Sequence, residues 1–233
     1  MPTIQVNDIN MYYEFHGEGE QLVLIAGLGT DLTVYEPTIN RLSERLKVLA
    51  FDNRGVGRTD KPDIPYKIEI MADDTAELMN GVGINKAHIF GISMGGRIAM
   101  ALALQHLDKV NSLILASTSA TVKIGSSLRP GWLKLASRFG SIIKKNPQPK
   151  YAFERQLEAS RGYDCSDQLN QIKVPTLILH GEKDKIAPFA LAEEMHSEIK
   201  GSKITKFKGG HYFFMLENKK FTDSVIEFLD SID

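Results

Sequence analysis

Ser93 stands in Gly91-Ile92-Ser93-Met94-Gly95-Gly96, directly after the apolar run 87–90 and directly before a stretch of strong helix formers. Gly-x-Ser-x-Gly between a strand and a helix is the setting of a nucleophile elbow. The chemistry requires it: a serine at so sharp a turn has a strained backbone, and glycines two residues to each side remove the Cβ atoms that would collide there. The helix that follows points its amino end at the serine and favours negative charge developing beside it.

A serine hydroxyl is a weak nucleophile until a base takes its proton. Six histidines are available. His16 lies near an early glycine turn, His88 in a strand pattern, His106 and His196 late in helix patterns, and His180 at the end of an apolar run; each reads as structural or exposed. His211 differs. It follows Gly209-Gly210 in a loop between the strand-like segment 203–207 and the last helix pattern. The glycine pair leaves the backbone free to aim an imidazole, so His211 is the expected base. A carboxylate should orient that imidazole and stabilise its charged form. Asp184, in His180-Gly181-Glu182-Lys183-Asp184, follows the apolar run 175–179 and precedes His211 by 27 residues. Glu182 is its nearest competitor, with Asp164 and Asp167 further off. The order Ser, Asp, His favours Asp184.

Two amide N–H groups are needed to hold an oxyanion. The residue after the nucleophile, Met94, should supply one. The loop after the apolar run 22–26, Gly27-Leu28-Gly29-Thr30, should supply the other from Leu28.

These residues need a frame that brings them together. Apolar runs at 22–26, 48–51, 87–90, 110–116 and 175–179 read as strands covered on both faces. Short β-rich segments at 4–6 and 11–15 flank an Asn7-Asp8 turn. Helical periodicity appears at 38–46, 68–79, 94–107, 189–199 and 219–229. Strand and helix in alternation imply an α/β architecture, a parallel sheet with helices on both faces. Ligands of such sheets bind beyond the carboxyl ends of the strands, and the candidate residues all follow apolar runs.

Between positions 118 and 174 the alternation stops. About 55 residues with Pro/Gly punctuation are too many for a structureless loop. The expected organisation is a core of 1–118 and 174–233 with a short helical lid, 119–173, inserted in it. From Thr121 to Lys150 the lid carries seven basic residues (Lys123, Arg129, Lys134, Arg138, Lys144, Lys145, Lys150) and no acid. Leu128, Trp132, Leu135, Phe139 and Ile142 share one helical face. The plain reading is an amphipathic cap helix. Attraction of carboxylate-bearing substrates and a weak membrane-surface contact are the functional alternatives, and Trp132 is the candidate for substrate contact.

Composition removes other classes. The 233 residues suit one large domain, and 42 % hydrophobic with 24 % charged residues is the balance of a folded globular chain. A net charge of −1 gives no general attraction for nucleic acid. The single cysteine, Cys165, can form neither an internal disulfide nor a four-cysteine zinc site. No dinucleotide fingerprint, Walker A motif or His-Glu-x-x-His is present, so no cofactor and no metal are expected. The longest apolar run, 98–104, is far short of a bilayer span, and the amino terminus has no signal-peptide pattern. A cytoplasmic location is the expectation. Asp52 and Arg54 read as supports for neighbouring loops.

Taken together, Gly27-Leu28-Gly29, Phe51-Asp52-Asn53-Arg54-Gly55-Val56-Gly57, the Ser93 elbow, Val174-Pro175-Thr176-Leu177-Ile178-Leu179-His180-Gly181 with Asp184, and Gly210-His211 resemble the α/β-hydrolase fold over nearly the whole chain. Gly27-Leu28-Gly29-Thr30-Asp31-Leu32 is similar to the 3-oxoadipate enol-lactonases and related carboxylesterases. Many relatives carry His-Gly before the oxyanion residue; here it is Ala26-Gly27, as in enol-lactonase-like members. The resemblance implies eight strands, one of them antiparallel, a cap over the site that is short here, and hydrolysis of a small ester or lactone. Carbon–carbon bond hydrolysis, perhydrolysis and ligand reception are the other activities the same frame could carry.

Overall fold

The computed structural model describes residues 2–122, 146 and 148–232. Trp132 and the expected lid residues 123–145 lie outside them. Eight strands form one sheet: β1 (Thr3–Val6), β2 (Ile9–His16), β3 (Glu20–Ile25), β4 (Leu46–Phe51), β5 (Ala87–Ile92), β6 (Val110–Ala116), β7 (Thr176–Gly181) and β8 (Lys203–Phe207). Their order is β1-β2-β4-β3-β5-β6-β7-β8. β2 runs antiparallel to both its neighbours, and the remaining pairs are parallel.

The described helices are α1 (Glu36–Leu42), α2 (Ile68–Gly81), α3 (Met94–Gln105), α4 (Lys150–Gly162), α5 (Phe189–Glu198), α6 (Phe213–Leu216) and α7 (Asn218–Leu229). They cover both faces of the sheet, which explains the unbroken apolar runs. Val23, Ile25, Leu49, Ile89, Leu113 and Ile178 point into a core shared with α2, α3 and α5. Their strand neighbours Leu22, Leu24, Val48, Phe90, Ile114 and Leu177 point into a second core built with α1 and α7. Side chains alternate across a strand, so a strand buried on both sides has no polar face to show.

The chain leaves β3 for β4 on one side and returns to β5 on the other. The loops after β3 and β5 therefore diverge at the carboxyl ends of the strands, the usual ligand position in a sheet of this kind. The loop after β3 begins at Ala26, and Ser93 follows β5 directly.

One expected helix is shorter than its periodicity suggested. The 38–46 pattern ends at Leu42, where the Ser43 N–H donates to Ile39 O and the Ser43 hydroxyl to Asn40 O. Leu46 instead pairs with Glu20 at the start of β4. Sheet pairing outweighs a weak helical preference.

Between β6 and β7 the described residues contain α4 and a short 3₁₀ turn, Ser166–Gln171. Tyr163, Cys165, Leu169 and Ile172 pack into the core with α2, α3 and α5. Arg97 of α3 ties both ends of this connection to the body. Its guanidinium donates to Ser119 O at 3.1 Å, to Ser119 Oγ at 2.9 Å and to Ser160 O. Among the described residues no helix is long and apolar enough to cross a membrane.

Candidate active site

Ser93 has φ 57° and ψ −118°, a conformation that costs a non-glycine residue of order 1–3 kcal/mol. Three hydrogen bonds enforce it. The Ser93 N–H donates to Ala116 O at 2.9 Å, continuing the β5–β6 ladder through the turn. Ser93 O then accepts from Gly96 N at 3.0 Å and from Thr118 Oγ1 at 2.7 Å. The glycines are obligatory for a steric reason. A Cβ on Gly91 would lie 2.3 Å from Gly95 O, and a Cβ on Gly95 would lie 2.1 Å from Ile25 O.

His211 meets Ser93 from the loop after β8. The imidazole Nε2 is 2.9 Å from Ser93 Oγ, and Nδ1 is 2.8 Å from Asp184 Oδ2. A carboxylate only accepts, so Nδ1 carries the proton and Nε2 of the neutral ring accepts from the serine hydroxyl. The loops bearing Asp184 and His211 are stitched together, since Glu182 N donates to Phe207 O and Lys183 N to Gly209 O. Glu182, Asp164 and Asp167 are exposed, and Asp164 is engaged by Thr121 and Ser166 instead.

Asp184 is buried, and burial alone would raise its carboxyl. Hydrogen bonds from His180 and His211 and from the Ala187 amide outweigh burial and hold it well below the usual carboxylate range. Its second oxygen accepts from Ile186 N at 2.8 Å and Ala187 N at 2.9 Å. The group is therefore anionic at neutral pH and fixed in direction. It can orient an imidazole and stabilise a positive charge on it.

His180 lies closer to this centre than its sequence reading allowed. Its ring is fully buried, donates from Nε2 to Ala187 O at 2.8 Å and stands 3.4 Å from Asp184 Oδ2. A histidine at the end of an apolar strand looks like core; only the fold puts it against the carboxylate. The other histidines pair elsewhere: His16 with Glu14, His88 with Ser112, His106 with Asp73 and His196 with Ser202.

The loop after β3 runs beside the serine: a Cβ on Gly27 would be 3.4 Å from Ser93 Cβ. Gly27 N donates to Tyr35 Oη and Gly29 N to Gln156 Oε1, both at 3.0 Å. The Leu28 amide between them has no protein acceptor among the described residues, nor has Met94, the first residue of α3. Leu28, in the loop beside Ser93, and Met94, the residue after it, thus each keep an unpaired amide, the kind of donor able to accept negative charge on a substrate oxygen. Asp52 and Arg54 work at a distance from it. Asp52 accepts from Leu32 N and Arg58 N, and Arg54 is clasped by Asp74 and Asp8.

Residues 21–162 match the family model for the alpha/beta hydrolase fold, and residues 156–232 match that for TAP-like proteins. An AB hydrolase superfamily protein of Bacillus subtilis is 30 % identical, with 96 % of each chain covered. Among solved structures, the enol-lactonase of Burkholderia xenovorans superposes with a TM-score of 0.89 at 27 % identity, covering 98 % of this chain and all of that one. An esterase of Exiguobacterium antarcticum superposes with a TM-score of 0.86 at 29 % identity, covering 98 % of each. This chain belongs to the α/β-hydrolase fold family, with esterases and a lactonase among its relatives.

Proposed function

We propose that this protein is a serine hydrolase that cleaves small carboxylic esters or lactones through a covalent acyl-enzyme. The observation that carries the reading is the hydrogen-bonded line from Ser93 Oγ through His211 to Asp184. Likeness to an enol-lactonase and an esterase supports the substrate class.

In this reading His211 Nε2 takes the proton of Ser93 as Oγ attacks the substrate carbonyl carbon. The carbonyl oxygen gains a negative charge and is received by the Leu28 and Met94 amides. Each such donor is worth about 3–4 kcal/mol of barrier. The intermediate collapses, the carbon–oxygen bond to the alcohol breaks, and the alkoxide leaves with the proton from His211. A lactone keeps that alcohol tethered to the acyl group. Water then attacks the acyl-enzyme, giving its proton to His211, and the acid departs as Ser93 recovers a proton. Asp184 stays ionised throughout and stabilises the imidazolium.

The test uses the purified chain with p-nitrophenyl acetate and a small lactone. Wild type should turn over at least one of them and take up one fluorophosphonate per chain on Ser93. Ser93→Ala should lose both the turnover and the label. Undiminished turnover by Ser93→Ala would overturn the assignment. Stoichiometric labelling of wild type without measurable turnover of any ester, lactone or thioester would point to a receptor on a hydrolase frame.

A further inference from the structure

Gln156 is a fully buried amide on α4, reaching from the connection between β6 and β7 into the base of the loop after β3. Its Oε1 accepts from Gly29 N at 3.0 Å, across 127 positions of sequence, and from Gln148 Nε2 at 3.1 Å. Its Nε2 donates to Arg54 O at 2.7 Å. Backbone N–H and C=O groups have fixed polarity, so only one orientation of the amide satisfies both. Arg54 is a rigid anchor, because two carboxylates, Asp74 and Asp8, grip its guanidinium.

The loop has three further ties. Tyr35 Oη holds Gly27 N, while Thr30 N and Thr30 Oγ1 both donate to Gly27 O. Gln156 supplies the tie on the far side of Leu28. Phe153, three residues earlier on the same helical face, presses on the same place: a Cβ on Gly29 would be 2.9 Å from its ring. The effect is to fix both peptide groups flanking Leu28 and leave its own N–H unengaged.

We propose that Gln156 is a positioning residue for the oxyanion site, so that the inserted helix α4 sets the aim of the Leu28 amide. The inference rests on the serine-hydrolase reading above. It makes the connection between β6 and β7 part of the catalytic apparatus as well as a cover. Charge collects on the carbonyl oxygen only in the transition state. A misaimed amide should therefore lower kcat and leave substrate affinity nearly unchanged.

The experiment compares Gln156→Met, which fills the space without hydrogen bonds, with Gln156→Glu and with Tyr151→Phe. Tyr151→Phe removes a different α4 tether, the hydrogen bond to Lys61 O. With p-nitrophenyl acetate, Gln156→Met should lose roughly 10- to 100-fold in kcat with KM changed less than about threefold. Affinity for a trifluoromethyl ketone, which forms a reversible tetrahedral adduct with serine, should fall by the same factor as kcat/KM. Tyr151→Phe should keep kcat. Gln156→Glu keeps both hydrogen bonds while protonated and sets a carboxylate against Arg54 O once ionised. Its kcat relative to wild type should therefore fall as pH rises, and this readout stands even if Gln156→Met does not fold.

Wild-type kcat in Gln156→Met would overturn the proposal. So would a change in KM alone, a loss of kcat with unaltered ketone affinity, or a Gln156→Glu pH profile parallel to wild type. Failure of the underlying reading looks different: Ser93→Ala would then keep its turnover, whatever the Gln156 variants do.

Discussion

The hydroxyl of Ser117 donates to the backbone carbonyl of His211 at 2.8 Å, joining the end of β6 to the loop that carries the imidazole. Ser117 is fully buried, has a positive φ of 48°, and is itself pinned by its N–H to Leu179 O. The imidazole is thus held at its ring by Asp184 and at its backbone by Ser117. Ser117→Ala leaves the His211 carbonyl without that donor, which costs about 1–3 kcal/mol when such a group stays dry. We expect a lower melting temperature and a several-fold loss of kcat on p-nitrophenyl acetate at nearly constant KM. Unchanged melting together with unchanged kcat would show that the loop is held by other contacts.

Strain at Ser93 should be visible in stability. Ser93→Gly and Ser93→Ala both delete the hydroxyl and its bond to His211, so their difference isolates the Cβ at a positive φ of 57°. Glycine accepts that conformation freely. Ser93→Gly is expected to be more stable than Ser93→Ala by about 1 kcal/mol, or about 2–4 °C in Tm for a chain of this size. Differential scanning calorimetry of the two inactive proteins measures it. An alanine variant melting at or above the glycine variant would mean that the elbow is not strained.

The depressed Asp184 carboxyl makes a signed prediction. A group whose folded value lies below its unfolded one, about 3.9 for aspartate, stabilises the fold fully above the unfolded value. That stability drains away as pH falls toward the folded value. The Tm advantage of wild type over Asp184→Asn should be flat from about pH 5 upward and shrink in stronger acid. At neutral pH, Asp184→Asn should also lose roughly 10³- to 10⁴-fold in kcat, because an amide nitrogen facing His211 Nδ1 favours the wrong tautomer. A Tm gap that widens on acidification would reverse the sign and defeat the argument.

What the sequence disclosed, and what it hid, follows from the range of the interactions. Strands β3 to β7 are apolar on both faces, so they announce themselves as unbroken runs. The elbow is visible because backbone collisions at Gly91 and Gly95 leave no other residue possible. His211 and Asp184 each follow a strand, and topology delivers them to the same edge of the sheet. Gln156 gave no such signal. Among Glu154, Arg155, Glu158 and Arg161 it reads as one more polar position on a solvated helix, and its meaning comes from Gly29 and Arg54, both distant in sequence. His180 was hidden in the opposite way, since its place at the end of an apolar strand matched the core so well that no partner was required to explain it. The helix pattern through 46 failed because the pairing of Leu46 with Glu20 is decided outside the helix's own window.

Cys165 offers a test of how the segment after α4 packs on the core. It is the only cysteine of the chain and is buried, with Tyr163 and Leu169, in the core formed with α2, α3 and α5. Burial pushes its thiol up to about 11, against a lowering hydrogen bond with Tyr163. At pH 8 about one such thiol in a thousand is ionised, and the thiolate is the reactive form. The native protein should therefore react with Ellman's reagent at least 100-fold more slowly than a small free thiol, and release one equivalent per chain only after unfolding in guanidinium. The same slow phase should quicken in Leu169→Ala, which removes buried side-chain volume from the same core cluster at a cost of about 2–5 kcal/mol. Rapid stoichiometric reaction of the folded wild type would contradict the packing of 163–172 against the core, because a thiol held there can be reached only when that segment opens.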